Sequence, residues 1–349
     1  MSDATQRPPR PVPLTYAAAG VHLEDAEELV RRIAPLARAT QRPEVVAGVG
    51  GFAGLSRLPG GYRRPLLVAG ADGVGSKLLL AAALDRHEGA GVDCVAMNVN
   101  DILTVGAEPL FFLDYLAAHR LEPAFVARVV AGVAEGCRQA GCALLGGESA
   151  EMPDLYPPGR YDLAGFAVGV VEEERRLGPE RVRPGDRLLG LASSGLHANG
   201  YALARKALLE RGGLRLDRPL PGTGPTAPAL GDLLLEPTRI YVRPVLDLLR
   251  AAGEAVHAAA HVTGGGLEAN LRRVLPAGLR PEIERSWPEP PLFRAIREAG
   301  EVAQAEMERV FNLGVGFVLV VAAGAEEEAA RRLRAAGQEV WPAGRVVRA

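Results

Sequence analysis

The sequence carries little net charge, few cysteines and no long apolar run. A formal net charge of -2 over 349 residues gives no overall field that would attract nucleic acid or an anionic membrane. Three cysteines, an odd and small number, predict a reducing compartment without a disulfide framework. The longest apolar run, 315–323, is far shorter than the roughly 20 residues of a membrane span. The polar start, MSDATQRPPRPVP, lacks the apolar region of a signal peptide. We therefore expect a cytoplasmic protein without nucleic-acid or membrane partners.

Lysine and asparagine are also rare, because arginine supplies nearly all of the basic residues. Of the 40 basic residues, only Lys77 and Lys206 are lysines. An ammonium group is a compact, rotatable charge, whereas a guanidinium group is a planar fork, so the two are not interchangeable. We hypothesise that the retained lysines and asparagines serve a specific chemistry, with chance retention as the alternative at each position. The asparagines are Asn98, Asn100, Asn199, Asn270 and Asn312.

The length and the order of the expected elements indicate two α/β domains. A chain of 349 residues favours two domains, and its content of 48% hydrophobic and 23% charged residues is typical of a globular fold. Expected strands and helices alternate, which predicts α/β layers. The charged stretch 172–186 contains glycine and proline and predicts a linker, so we expect an N-terminal domain at 1–172 and a C-terminal domain at 173–349. The predicted strands are 66–72, 110–116, 142–148, 163–171, 188–192, 256–262, 315–322 and 339–347, and the predicted helices are 77–84, 92–103, 123–140, 199–210, 242–251, 267–275 and 325–336.

The stretch LLVAGADGVGSKLLLAAAL, residues 66–84, places a carboxylate, glycines and a lysine at a strand-to-helix junction. A P-loop has the order G-x-x-x-x-G-K-[ST], in which lysine precedes the hydroxyl residue. Here Ser76 precedes Lys77, so the stretch departs from the P-loop pattern.

Three carboxylates occur beside glycine or asparagine in the first half of the chain. Asp72 and Glu148 end predicted strands, and Asp101 lies on the polar side of a predicted helix with Asn98 one turn before it. Hard oxygen ligands that converge from strand ends suit Mg²⁺ bound to a polyphosphate. For any one acid alone, a solvated loop position or a helix cap is the better interpretation. The three together favour a metal site.

Glycine-rich loops follow or precede several predicted strands. GVGGFAG, residues 48–54, could form a lid over a nucleotide. LASSGLHANGYAL, residues 191–203, carries His197 on a polar turn with Asn199 as the expected helix cap. HVTGGGLEANLRRVL, residues 261–275, ends a strand and begins a helix, which is typical of an anion site. Each loop alone is a weak signal, since ordinary turns are also rich in glycine.

Taken together, these segments resemble phosphoribosylformylglycinamidine cyclo-ligase, the aminoimidazole ribonucleotide synthetase family of purine biosynthesis. The resemblance covers roughly residues 14–345. Its departures are mild: Ser76 and Ser149 replace expected threonines, and Leu196-His197-Ala198 replaces an expected Pro-His-Ser. The segments that carry it include GGFAGL, GADGVGSKLLLA, VAMNVNDILTVGAEPLFFLDYLA, AEGCRQAGCALLGGESAEMPDLY, YDLAGFAVGVVE, GLASSGLHANGYALARK, LLEPTRIYV, HVTGGGLEANLRRVLP and FNLGVGFVLVV.

The resemblance implies a fold with its own way of binding ATP, in a cleft of strand ends shared across a homodimer. Each subunit gives a small sheet, and two such sheets close into a β-barrel with helices outside. It implies Mg²⁺ bound by Asp72, Asp101 and Glu148, with Lys77 neutralising phosphate charge. The further nucleotide-binding residues that it implies are Gly50, Gly51, Gly73, Asn98 and Asn100.

The resemblance also implies the reaction. The γ-phosphoryl group of ATP is transferred to the formyl amide oxygen of formylglycinamidine ribonucleotide, and an amidine nitrogen then closes the ring as phosphate leaves. Lys77, Asp101, His197 and Asn199 are the expected catalytic residues. Substrate binding is expected at Ser193, Ser194, Thr263, Gly264, Gly265 and Gly266, the last four holding the ribose 5-phosphate.

Two other functions remain open at this stage. The same fold could transfer phosphate to selenide or to thiamin monophosphate. No cysteine precedes Cys94, which counts against a selenophosphate synthase, and the motif around Asp72 has no adjacent second aspartate, which counts against a thiamin-monophosphate kinase. The second alternative is a non-catalytic nucleotide-binding scaffold, and the retained Lys77 with three acids argues against it.

Overall fold

The computed structural model describes Thr15 and residues 23–349 as two large sheets with helices packed against them and one small two-stranded sheet. The polar N-terminal stretch 1–13 lies outside the described residues. The helices are α1 Leu23–Arg38, α2 Leu78–Ala83, α3 Glu88–Leu103, α4 Pro123–Ala140, α5 Tyr201–Arg205, α6 Leu230–Leu235, α7 Val242–Ala252, α8 Gly266–Arg272, α9 Pro291–Gly300, α10 Gln304–Val310 and α11 Glu326–Ala335. The strands are β1 Val45–Ala47, β2 Leu55–Ser56, β3 Pro65–Gly73, β4 Glu108–Ala118, β5 Ala143–Glu151, β6 Tyr161–Glu172, β7 Arg187–Ala192, β8 Val256–His261, β9 Leu279–Ile283, β10 Val315–Val321 and β11 Val340–Arg348.

The first sheet has the strand order β3-β6-β4-β5. Strand β6 runs antiparallel to β3 and β4, and β4 runs parallel to β5, so β3, β4 and β5 share one direction. Helices α3 and α4 cover one face and approach closely, because a Cβ at Gly91 or Gly132 would collide with the backbone of the other helix. The other face leaves large apolar side chains exposed, with Leu67 at 64% and Phe166 at 47%.

The second sheet is antiparallel, with the order β8-β10-β7-β11-β9. Strand β10, which lies between β8 and β7, is completely buried and is a continuous apolar run, VGFVLVV. Residues 315 and 317 flank an irregularity in the pairing of β10 with β7. This β-bulge places Gly316 on the same side as Phe317, facing the first sheet.

The two halves share one hydrophobic core. Phe112 of the first sheet and Phe317 of the second belong to the same buried cluster, together with residues of α3, α4 and α7. A smaller cluster around Trp287 covers the outer face of the second sheet. Residues 173–186 connect the sheets through two short 3-10 turns, Glu173–Arg175 and Pro179–Arg181.

Most of the predicted elements are present, and the differences have local causes. Helix α4 spans the predicted 123–140, with Gly141 in the left-handed conformation directly after it. The predicted helix 199–210 begins instead at Tyr201, because Gly200 adopts left-handed dihedrals; Asn199 is not its cap. That helix continues as a π-helix over Lys206–Arg211. Elements that the sequence did not predict are α1, α6, α9, α10, β1, β2 and β9.

Within residues 23–349, no helix is long and apolar enough to cross a membrane.

Candidate active site

Asp72 and Asp101 are neighbours where strand β3 ends beside helix α3. Asp72 is half-buried, and its carboxylate accepts a hydrogen bond from the backbone N–H of Gly73 at 2.8 Å. Asn98, fully buried on α3, donates its side-chain N–H to the carbonyl oxygen of Asp72 at 3.1 Å. Burial raises the pKa of the Asp72 carboxyl, and the nearby charge of Asp101 raises it further. A divalent cation would relieve the repulsion between two such carboxylates.

His261 brings the second sheet to this pair of carboxylates. It is the last residue of β8, and its Nδ1 lies 2.8 Å from Oδ1 of Asp101. Only 2% of the His261 side chain is exposed, whereas 48% of the Asp101 side chain is exposed. The imidazole packs against Phe317, its register partner on β10. His261 was not among the residues predicted from the sequence, although its place at a strand end, two residues before Thr-Gly-Gly-Gly, is a signal that could have identified it.

His197 lies in the turn after β7 and is buried. Its φ of 60° falls in the left-handed region, which is uncommon for a residue other than glycine. Its Nε2 accepts a hydrogen bond from the backbone N–H of Ser194 at 3.2 Å. The ring lies over Gly316, where a Cβ would collide with it and with the Tyr241 hydroxyl. Burial lowers the pKa of His197 well below its usual value, with a further contribution from His261. The ring is therefore neutral at pH 7.

Ser193 and Ser194, predicted to bind substrate, are tied into the surrounding loops. The Ser193 hydroxyl donates to Oδ1 of Asn312 at 3.0 Å, and Asn312 donates to the carbonyl oxygen of Gly195 at 2.8 Å. The Ser194 hydroxyl donates to the carbonyl oxygen of Pro237 at 2.5 Å. Asn312 therefore fixes the shape of this turn.

The Thr263–Gly266 turn is held in the same manner by another of the rare asparagines. Asn270 donates to the carbonyl oxygens of Thr263 and Gly264, both at 3.3 Å, and to that of Gly266 at 2.8 Å. Gly265 and Gly266 have φ values of 101° and 70°, which a side chain would strain. The turn is thus preformed by backbone geometry and one amide.

Four buried polar atoms at the junction of the two sheets have no hydrogen-bond partner within the described residues. They are Oδ1 of Asn98, Nδ1 of His197, Nδ2 of Asn199 and Nε2 of His261. Asn199 lies beside Gly264, so the two loops of the second domain meet here. Unpaired buried polar groups are rare and unfavourable in folded proteins. Their concentration in one region indicates a site that a polar ligand completes.

Lys77 differs from its expected place at the phosphates. Its ammonium group is 1% exposed and lies 2.7 Å from Oδ2 of Asp93. It also donates to the carbonyl oxygens of Glu236 at 2.7 Å and His197 at 3.2 Å, so its three N–H donors all have partners. Burial lowers the pKa of Lys77 and raises that of Asp93, while the mutual attraction of the pair opposes both shifts. The structure thus gives Lys77 the role of holding the His197 turn, and this corrects the expected phosphate contact.

Asn100 also differs from its expected place at the nucleotide. It is fully buried on α3, and its side chain donates to the carbonyl oxygen of Arg239 at 2.8 Å. The same side chain accepts a hydrogen bond from the backbone N–H of Tyr241 at 3.0 Å. The nitrogen and the oxygen of its side-chain amide therefore both serve the contact between the two halves. This corrects the expectation that Asn100 binds the nucleotide.

Glu148 does not join the other two carboxylates within one subunit. It is exposed on β5, at the opposite edge of the sheet from Asp72 on β3. Three interstrand spacings separate these edges, which amounts to about 14 Å. Across the described residues, no group of three or more acidic, histidine or cysteine side chains is placed to hold a metal. Strand order therefore keeps Glu148 apart from Asp72 and Asp101 within one chain, so a single subunit does not assemble the predicted three-carboxylate site.

Asp72 and Asp101 nevertheless fit magnesium that arrives with a polyphosphate. Mg²⁺ is commonly held by one or two carboxylates, with phosphate oxygens and water completing its six ligands. The pair offers hard oxygen donors and a local excess of negative charge. Gly73 follows Asp72 directly and adds no side chain at this point.

The glycine-rich loop that contains Gly50 and Gly51 lies between β1 and β2, on the β5 side of the first sheet. Gly54 packs so closely against Leu145 that a Cβ there would collide with the Leu145 side chain, and Gly48 lies beside the carbonyl oxygen of the same residue. The loop is therefore grouped with Glu148 at one sheet edge, and Asp72 lies at the other.

Comparison with known proteins finds relatives over nearly the whole chain. Residues 55–171 match the N-terminal domain of AIR synthase related proteins, and residues 183–349 match the C-terminal domain. Phosphoribosylformylglycinamidine cyclo-ligase of Thermosynechococcus vestitus is 53% identical over 96% of this chain and 96% of its own. The enzyme of the same name from Symbiobacterium thermophilum is 54% identical, again over 96% of each chain.

Solved structures with lower identity share the fold. Thiamine-monophosphate kinase from Stenotrophomonas maltophilia aligns with a TM-score of 0.64 at 22% identity, over 92% of this chain and 94% of that one. The hydrogenase maturation protein HypE in complex with ATP aligns with a TM-score of 0.59 at 18% identity, over 90% and 85% of the two chains. The matched domains and the full-length identity of about half the residues place this chain in the phosphoribosylformylglycinamidine cyclo-ligase family.

Proposed function

We propose that the protein catalyses the ATP-dependent ring closure of formylglycinamidine ribonucleotide to aminoimidazole ribonucleotide, a step of purine biosynthesis. The observation that carries the proposal is the identity of 53% with a cyclo-ligase across 96% of both chains. The geometry supports it: two carboxylates and four unpartnered buried polar atoms lie where the two sheets meet. ADP and phosphate are the other products. The three cysteines are free and buried, which supports our expectation of a reducing, cytoplasmic location.

The reaction needs two things from the protein: neutralisation of the transferred phosphoryl group and alignment of the ring-closing atoms. Asp72 and Asp101 would hold magnesium, which neutralises charge on the phosphates of bound ATP. Asn98 fixes the Asp72 end of this site through its bond to the backbone. The γ-phosphoryl group passes to the formyl oxygen, the amidine nitrogen attacks the formyl carbon, and the C–O bond to phosphate breaks.

The second domain supplies the substrate side of the cleft. Thr263, Gly264, Gly265 and Gly266 form the preformed turn that we propose for the ribose 5-phosphate, through backbone N–H groups. Ser193 and Ser194 lie on the facing turn, with His197 and Asn199 beside them. Nδ1 of the neutral His197 carries a hydrogen, since Nε2 accepts one from Ser194. His197 and Asn199 therefore each offer an unused N–H to orient the substrate.

We further propose that the active protein is a homodimer whose first sheets close into one barrel. Its support is the uncovered apolar face of the sheet, which includes Leu67 and Phe166, since large exposed apolar patches mark interaction surfaces. In a barrel with a twofold axis along its length, the β5 edge of one sheet adjoins the parallel β3 edge of the other. Glu148 of the partner subunit then approaches Asp72 and Asp101, and the glycine loop that contains Gly50 and Gly51 comes from that same subunit.

The test of the reaction is phosphate release from ATP and magnesium by the purified protein. We expect release only with formylglycinamidine ribonucleotide, together with an equal amount of aminoimidazole ribonucleotide by mass spectrometry. Thiamin monophosphate serves as the control substrate and should give none. If ATP binds but is not consumed with the ribonucleotide, the protein is a nucleotide-binding scaffold and the proposal fails.

The shared site can be tested by mixing two inactive variants. Asp101→Asn and Glu148→Gln proteins are each expected to lack activity. If one site uses residues of both subunits, random exchange gives half mixed dimers, each with one intact site, and restores roughly a quarter of wild-type activity. Sites contained within one subunit would give no restoration. Light scattering at micromolar concentration checks the dimer directly, and a monomer would contradict the barrel.

A further inference from the structure

His261 is the residue through which the second sheet contacts the nucleotide carboxylates. Its Nδ1 lies 2.8 Å from Oδ1 of Asp101. A carboxylate only accepts hydrogen bonds, so Nδ1 carries a hydrogen, and Nε2 has a lone pair whenever the ring is in its neutral form. The two ring nitrogens therefore differ in role, since Nδ1 donates to a known partner and Nε2 can accept.

The position of the ring leaves it little freedom. His261 ends a strand whose pairing with β10 continues one residue further, where the N–H of Val262 donates to the carbonyl oxygen of Gly316 at 2.9 Å. Phe317 packs against the ring, with centroids 6.3 Å apart. Since only 2% of the side chain is exposed, water does not solvate it freely. The imidazole is thus held in place by packing and can orient a neighbouring carboxylate that is itself more exposed.

Asp101 is such a neighbour. About half of its side chain is exposed, and it lies on the last turn of α3, where Thr104 bonds the backbone of Asp101 and leaves its carboxylate untouched. Within the described residues, His261 gives the hydrogen bond that selects one carboxylate oxygen and leaves Oδ2 for a cation. Outer hydrogen bonds of this kind commonly change metal affinity by about 10- to 100-fold.

The second ring nitrogen of His261 is Nε2. It is buried and has no partner within the described part of the chain. Phe317 packs against His261, and the preceding residue, Gly316, lies under the ring of His197. Since Nδ1 of His197 is likewise unpartnered, the two nitrogens lie in the same cleft. One is an acceptor without a donor and the other is a donor without an acceptor. A substrate that carries both an amidine N–H and a formyl oxygen offers the complementary groups.

We propose that His261 is a two-sided residue of the site: Nδ1–H positions Asp101 for magnesium and ATP, and Nε2 accepts a hydrogen bond from the amidine of the substrate. This inference rests on the proposed function for the identity of the substrate. The positioning half needs only ATP and magnesium. His261 therefore couples nucleotide binding in the first domain to substrate binding in the second.

Two substitutions separate the roles of the ring nitrogens. His261→Asn keeps an amide N–H near the place of Nδ1 and removes the group at Nε2. His261→Gln places its amide near Nε2 and removes the donor to Asp101. Their matched control is His257→Asn on the same strand, because His257 also contacts a carboxylate through Nδ1, that of Asp186 at 2.6 Å, away from the cleft.

The first measurement is calorimetric binding of a non-hydrolysable ATP analogue with magnesium and without substrate. We expect His261→Gln to weaken binding about 10-fold or more, and His261→Asn and His257→Asn to stay within about twofold of wild type. The second is steady-state kinetics, in which His261→Asn should raise KM for the ribonucleotide or lower kcat about 10-fold. Thermal unfolding confirms that each variant is folded.

The pattern of results decides the matter. Equal losses of nucleotide affinity in both His261 variants overturn the positioning role, and unchanged KM and kcat in His261→Asn overturn the role of Nε2. If the His261 variants lose stability but keep wild-type affinity and kinetics, the contact between His261 and Asp101 only stabilises the fold, which also overturns the proposal. Failure of the proposed function is distinct: the wild-type protein would then fail to consume ATP with the ribonucleotide, whatever the variants do.

Discussion

Two of the polar contacts where the halves of this molecule meet differ in almost every physical respect. Lys77 and Asp93 are both buried, and the backbone N–H and hydroxyl of Thr238 complete the contact at 2.7 and 2.6 Å from Asp93. Asp101 and His261 form a pair with one exposed partner and one unpartnered ring nitrogen. The closed contact has no capacity left for a ligand. The open contact keeps that capacity, so the same interface serves both structure and chemistry.

The largest expected effect breaks the closed contact. Lys77→Met should lower the free energy of unfolding by about 3–5 kcal/mol, because it leaves the Asp93 carboxylate buried without a counter-charge. Urea denaturation measures the loss. Adding Asp93→Asn removes the stranded charge and should recover at least about 1 kcal/mol. If the Lys77→Met protein is stable but has lost ATP affinity, this would instead support a direct contact between Lys77 and the phosphates of ATP.

The next effect removes the charge of the open contact. Asp101→Asn should lower kcat by about 10²–10³-fold, since phosphoryl transfer depends on electrostatic stabilisation, while the unfolding free energy changes by less than about 1 kcal/mol at this half-exposed position. Steady-state kinetics and urea denaturation give the two numbers. Asp247→Asn, an exposed carboxylate on α7 paired with Arg250, is the control. Activity of Asp101→Asn within a few-fold of wild type would exclude a magnesium role there.

A smaller effect tests the space that Gly316 leaves for His197. Gly316→Ala places a methyl group against the imidazole and the Tyr241 hydroxyl, and such overpacking costs about 1–3 kcal/mol. We expect a matching loss of stability and a higher KM for the ribonucleotide. Gly60→Ala, where a Cβ meets open space, should change neither. Wild-type KM in Gly316→Ala would show that the place of His197 does not matter to the substrate.

The smallest effect concerns pH. Burial lowers the pKa of His197 in the folded protein, so the unfolded chain binds its proton more readily. The stability from the neutral ring is present above pH 6.5 and falls as the pH drops below that value, by at most about 1.4 kcal/mol per pH unit. His197→Gln should reduce the loss of unfolding free energy between pH 7.5 and 5.5. An unchanged pH dependence would place the charge change elsewhere, for example at His87, whose pKa is also lowered by burial.

The sequence predicted features that local signals determine. Pro123 and Gly141 bound helix α4 at its observed ends, because proline and glycine fix backbone dihedrals by themselves. The scarcity of lysine drew attention to Lys77, which the structure places in a buried ion pair and not at the expected phosphate site. Its partner is Asp93, sixteen positions away on another helix, and no local pattern relates the two.

Features that depend on the order of strands could not be predicted in this way. Glu148, like Asp72, ends its predicted strand beside glycines, yet the order β3-β6-β4-β5 separates them. The importance of His261 arises from contact with Asp101, 160 positions earlier in the chain. The pairing of remote residues is a property of the folded sheets, and one sequence alone does not reveal it.

The common core of the two sheets limits how ligands can enter. Phe112 and Phe317 belong to one buried cluster. Separating the halves would therefore expose apolar side chains to water, at a free-energy cost of about 25 cal/mol for every Å² of apolar surface. Opening by a hinge between domains is therefore unfavourable in this molecule. We therefore expect nucleotide and substrate to enter without a domain hinge, and both halves to melt together in a single transition.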